Sequence, residues 1–142
     1  MYLKPIVISA FSIVCIIGLG DCKSSKSSTV PPKEFLRFGS GGGFAGKETI
    51  QSLFEDGSWS SSAGGKFQPL KKNQLRQLET NIQILGLENM DYNSPGNLYE
   101  FIEIKSGSDF RRMAWDPMSE SVPSALKLFY NNLSNLFQNS KK

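Results

Sequence analysis

Between Leu98 and Phe137 the spacing of the apolar residues switches from two to three and four. Leu98, Ile102 and Ile104, with Glu100 in the same series, alternate with Tyr99, Phe101 and Glu103, the period of a half-buried strand. Ser106-Gly107 supplies a hairpin turn, and Phe110 to Trp115 reads as the return strand. Asp116-Pro117 stops the sheet. Pro123 then opens a helix that carries Leu126, Phe129, Tyr130, Leu133, Leu136 and Phe137 on one side. A strand pair followed by such a helix buries the helix stripe against the apolar face of the sheet.

Earlier in the chain the same reading continues. Glu34 to Phe38 is short, apolar and aromatic, and suits a first strand. Gly39 to Gly46 follows as a glycine-dense loop. Lys47 to Asp56 fits helix through Ile50, Leu53 and Phe54, and strand through Ile50, Ser52 and Phe54. Asp56-Gly57 decides for strand, because it predicts a type I′ hairpin turn with Trp59 on the partner strand. Pro69 suits the first turn of a helix whose Leu75, Leu78, Ile82 and Leu85 form one apolar face, and Gly86 is placed to end it. Asp91 to Gly96 is a polar loop. The expected fold class is α+β: an antiparallel sheet of four or five strands with two amphipathic helices packed on one face. Residues 34–142 form a single domain without internal repeats.

The first residues do not belong to that domain. Lys4 and the α-amino group precede a nearly unbroken apolar run from Pro5 to Leu19. The run has the roughly 15-residue length of a signal-peptide core and falls short of the ~20 residues of a membrane span. Leu19-Gly20-Asp21-Cys22 resembles a bacterial lipobox, which makes residues 1–21 the leader and Cys22 a lipidated first residue. Asp21 departs from that pattern, and a cut after Gly20 would instead leave a periplasmic or secreted soluble protein with a free thiol. Residues 22–33, rich in Ser, Lys and Pro, have the composition of a flexible tether.

Composition removes several classes of function. The chain has 16 Lys and Arg against 13 Asp and Glu, with a net charge of +3. No dense basic run accompanies a nucleic-acid-binding module, so nucleic acid is not an expected partner. There is no histidine, and of the two cysteines Cys15 lies in the leader. A mature chain with Cys22 alone forms no internal disulfide, holds no Cys/His zinc site and lacks the pairs used for nucleophilic catalysis. No catalytic residue, metal or cofactor is assigned, and the chain is read as a binding protein rather than an enzyme.

The remaining motifs divide between structure and function. Gly41, Gly46 and Lys47 fit the start of a Walker A pattern, but Glu48 stands where a hydroxyl residue coordinates Mg²⁺. Gly41, Gly43 and Gly46 also fit a dinucleotide-binding pattern, which the Asp56-Gly57 hairpin argues against. The glycines otherwise mark a hairpin or bulge, with Phe44 either folded back onto the core or presented to another protein. Glu100 and Glu103, three apart on a strand, face opposite ways and share no site. Trp59 and Trp115 are core residues or, alternatively, a platform for a sugar. Tyr99 and Phe101 read first as core or sheet face.

Gly42-Gly43-Phe44-Ala45-Gly46, directly after a short first strand, resembles the GGFAG signature of emfourin-type proteins, which inhibit thermolysin-like metalloproteases. A leucine-rich helix after a proline, a hairpin with Tyr and Phe, and a closing helix introduced by Pro follow in the same order, from Glu34 to Phe137. The resemblance implies the same α+β fold and a metalloprotease as the class of partner, with no cofactor. Only Gly42, Gly43, Phe44, Ala45 and Gly46 match residue by residue, and they form the candidate partner-binding loop. The export leader and the Ser/Gly-rich residues 57–68 depart from the family pattern. The expectation is a lipid-anchored envelope protein that binds a metalloprotease or another envelope protein. The alternative is a structural or accessory lipoprotein that binds glycan or another envelope component.

Overall fold

A computed structural model describes residues 33–63 and 66–139. The leader, the lipobox with Cys22 and almost all of the linker lie outside the described residues. The fold is α+β, as the two apolar periods require. Seven strands form one sheet: β1 (Glu34–Gly42), β2 (Thr49–Phe54), β3 (Ser58–Ser61), β4 (Gln68–Pro69), β5 (Asn93–Ser94), β6 (Leu98–Ser106) and β7 (Asp109–Trp115). Their order is β4-β3-β2-β1-β6-β7-β5. All neighbours are antiparallel except β5, which runs parallel to β7. The helices are α1 (Lys72–Ile84) and α2 (Ser124–Asn139).

The expected four or five antiparallel strands are thus corrected to seven in a mixed sheet. The two additional strands are β4 and β5, each of two residues. Gln68-Pro69 and Asn93-Ser94 carry no apolar alternation, because edge strands this short bury little. Pro69 belongs to β4 rather than to the first turn of α1, as an edge strand tolerates a residue without an N–H. Helix α1 begins three residues later, where the Gln74 side-chain oxygen accepts the Lys71 backbone N–H at 3.0 Å. It ends where expected, with Gly86 at φ 63°.

Two further boundaries move. β1 runs on through Gly39, Ser40, Gly41 and Gly42, so the glycine loop shrinks to the turn after it. Gly39 and Ser40 pair with both β2 and β6, and Gly41 and Gly42 with β6 alone, which keeps them in the sheet despite their weak strand preference. The Asp56-Gly57 hairpin exists but is not type I′, which needs positive φ at both central positions. Only Gly57 has positive φ there, at 81°, and its N–H closes the turn onto the Phe54 carbonyl at 2.9 Å. Asp56 keeps negative φ while its carboxylate accepts the Ser58 N–H at 2.9 Å.

Sheet register sorts the side chains onto two faces. Phe38, Ile102 and Met113 stand opposite one another on β1, β6 and β7, as do Arg37, Glu103 and Arg112 one residue along. The first face joins Leu36, Leu53, Trp59 and Trp115 in one core with Leu78 and Ile82 of α1 and Leu126, Phe129, Leu133 and Phe137 of α2. Helix α2 crosses that face: Phe137 packs edge-on against Trp59 and Phe38, and Tyr130 against Phe38 and Trp115. The Tyr130 hydroxyl donates to the Gly39 carbonyl at 3.1 Å, and burial pushes its pKa up to about 12. Among the described residues no helix packs on the second face.

Candidate functional site

The five residues of the candidate loop form a tight tip where β1 hands over to β2. Gly42 has φ 95°, and a Cβ there would sit 2.0 Å from the Asn97 carbonyl oxygen, so the position admits glycine alone. Gly43 donates its N–H to that same oxygen at 2.8 Å, which ties the tip to the residue before β6. The Gly46 N–H then returns to the Gly43 carbonyl at 3.2 Å. Phe44 and Ala45 occupy the two central positions of the resulting turn, both with negative φ.

Phe44 does not fold back onto the core. Its relative exposure is 113 %, the highest of any large apolar side chain described. Burying a phenyl ring stabilises a protein by about 2–3 kcal/mol, which this chain forgoes at a position fixed by backbone hydrogen bonds. Two other exposed apolar residues, Leu98 and Met118, lie at the same end of the sheet, and the Leu98 side chain lies beside Gly43. A hollow of about 360 Å³ opens there among Gly41, Gly42, Leu98, Tyr99, Glu100 and Pro117. Sequence reasoning found the turn but missed Leu98 and Met118. The register of β6 against β1, with Leu98 opposite Gly42, is the signal that brings Leu98 to the tip.

A ladder of charges on the open sheet face holds the descending arm of the loop. Glu34 pairs with Arg37, Arg37 with Glu103, Glu103 with Arg112, and Arg112 with Glu48. Tyr99 donates its hydroxyl to Glu48 at 2.7 Å. The guanidinium of Arg112 lies 4.0 Å above the Phe101 ring and that of Arg37 lies 4.2 Å above Phe110, stacked as cations on aromatic faces. Phe101 is therefore buried on the open face, beneath Arg112, and Tyr99 stands beside it. The Tyr99 and Arg112 hydrogen bonds hold the Glu48 carboxyl below the usual carboxylate range. Burial pushes Glu34 up, but its bonds to Arg37 and Ser52 outweigh that and leave it low as well.

These contacts settle the nucleotide motifs. Thr49 to Phe54 is a strand, so no helix begins at Lys47 to cradle phosphate. Glu48, in the place of the Mg²⁺-binding hydroxyl, is spent on Arg112 and Tyr99. Glu100 and Glu103 point to opposite faces, as their spacing requires. Glu103 joins the ladder, whereas Glu100 accepts the Trp115 indole N–H at 3.0 Å, and burial raises its pKa. Trp59 and Trp115 are buried at 2 % and 0 % exposure, so they form no sugar platform. Among the described residues no cluster of His, Cys, Asp or Glu is placed to hold a metal, and no helix is long and apolar enough to cross a membrane. The chain matches no protein-family model and no curated protein.

Proposed function

We propose that this chain is an exported envelope protein, anchored at Cys22, whose domain binds a partner protein through the turn Gly42–Gly46. The observation that carries the reading is Phe44: a fully exposed aromatic ring on a turn locked by backbone bonds to Asn97 and within itself. A rigid aromatic loses little conformational freedom on docking, and such residues dominate the energetics of protein interfaces. Leu98, whose side chain lies beside Gly43, adds exposed apolar surface next to the turn, and Lys47, which follows it, is exposed. No catalytic role is proposed.

The resemblance to emfourin-type inhibitors directs the search to one class of partner. On that reading the tip enters the cleft of a thermolysin-like metalloprotease and blocks it, with no cofactor of its own. The test is inhibition of such a protease by residues 30–142, compared with Phe44→Ala. Saturable inhibition, weakened in the variant, supports the inhibitor reading. Absence of inhibition at micromolar concentration removes the protease and leaves the tip to be assigned to another envelope protein.

A further inference from the structure

For most of its length β7 is an edge strand. β5 pairs only with Ala114 and Trp115, so among the described residues Asp109 to Met113 have β6 on one side and no strand on the other. Register fixes which backbone groups face outward. Ser106 and Asp109 flank the turn Gly107-Ser108, so they exchange hydrogen bonds across the hairpin. Alternation then turns the N–H and C=O of Phe110, Arg112 and Ala114 away from β6. Asp116, next in that series, confirms the phase, because its N–H donates outward to the Ser94 carbonyl at 3.1 Å. The open backbone groups are therefore those of Phe110 and Arg112, and among the described residues no loop bonds to them.

Unpaired groups on a strand edge are a template for a further strand, and the side chains beside them select it. Asp109 and Arg111 share the helix-covered side with Met113, whereas Phe110 lies on the open side beneath Arg37. Asp109 and Arg111 are exposed, and among the described residues neither has an ion pair. Along the strand the edge reads negative, aromatic, positive, which is its own complement when reversed. We infer that β7 pairs with β7 of a second copy of this chain, antiparallel about a two-fold axis at Phe110. That register bonds the two Phe110 backbones and sets each Asp109 opposite the other copy's Arg111, in the pairs whose side chains stand closest. Opposite charges and aromatic rings so placed stabilise neighbouring strands. An axis at Arg111 would set two guanidinium groups face to face. An axis at Arg112 would bring Phe110 against Ala114, where β5 already lies. With the axis at Phe110 both helix layers fall on one side, and the two seven-stranded sheets continue into one. This contact does not rest on the tip: the turn Gly42–Gly46 lies at the Leu98 end of β6, and β7 begins at the Ser106 end.

Sedimentation equilibrium of the full-length chain in density-matched detergent tests the pairing through a charge swap. The parent is expected to form dimers as its concentration rises. Asp109→Lys or Arg111→Glu alone turns both ion pairs into like-charge pairs and is expected to weaken the dimer at least about fivefold. The two substitutions together restore the pairs in reverse, and the constant is expected to return to within about twofold of the parent. Both side chains are exposed, so the variants leave the core untouched. Amide exchange places the contact: the Phe110 N–H is expected to slow at least about fivefold from dilute to dimeric parent, and the Met113 N–H to stay unchanged. A chain that stays monomeric up to millimolar concentration overturns the proposal. So does association that the single variants leave unchanged, or that the double variant fails to restore. Protease inhibition through the tip is read in a separate assay, so the two readings fail independently.

Discussion

Gly42 and Gly46 both have positive φ, yet only one of them is also crowded. A Cβ at Gly42 would meet the Asn97 carbonyl, whereas one at Gly46 would have nothing within 4 Å. Gly46→Ala is expected to cost about 1 kcal/mol from the left-handed backbone alone. Gly42→Ala adds displacement of β6 and is expected to exceed that by at least about 1 kcal/mol, read as the difference in urea midpoints. The carboxylates give a second test. Glu34, Glu48 and Asp56 sit below the usual range, Asp56 through its bonds from Ser58. Each adds stability above that range and withdraws it as pH falls through the lowered values. Glu100 works the other way: burial favours its protonated form, so the folded state loses stability as pH rises through the ordinary range. Glu100→Gln keeps an oxygen for Trp115 and is expected to raise the urea midpoint at pH 7. That advantage should shrink towards zero below about pH 4.

At the scale of elements, α2 supplies the largest share of the cover over the sheet. Phe137 has its ring 4.7 Å from Trp59 and 5.1 Å from Phe38. Phe137→Ala is expected to cost about 3–5 kcal/mol, a large part of a typical domain's stability. Leu128, on the outer side of the same helix, is expected to change stability by less than about 0.5 kcal/mol when replaced by Ala, with circular dichroism in urea separating the two. That contrast is legible in the sequence because a stripe at three- and four-residue spacing has one solution, and Leu126 to Phe137 find it. The long strands are legible for the same reason. β4 and β5 are not, since two residues at an edge are too few to show a period. The extension of β1 through its glycines is also hidden, because pairing with neighbouring strands, rather than those residues' own preference, keeps them in the sheet. For the site, the pentapeptide marks the turn and leaves open where Phe44 points. The Glu48–Arg112–Tyr99 support joins residues 51 and 64 positions apart, so only the folded register brings it together.

Among the described residues, the sheet has one face packed under the helices and one without a helix, braced by ion pairs, with Phe44 and Leu98 exposed at one end. On the proposed reading the tip serves recognition, while the helix-covered side serves stability. Phe44 contributes no packing to the core, so Phe44→Ala is expected to leave the thermal midpoint within about 2 °C of the parent. Interface anchors of this kind are worth about 2 kcal/mol or more on truncation, roughly thirtyfold in affinity. The most direct measurement is therefore the inhibition constant towards a thermolysin-like metalloprotease for the parent domain, Phe44→Ala and the distant Leu128→Ala. The expected result is inhibition by the parent, a constant at least tenfold weaker for Phe44→Ala at unchanged fold stability, and a change below twofold for Leu128→Ala. Inhibition by the parent that Phe44→Ala leaves untouched would contradict the assignment of the tip as the contact.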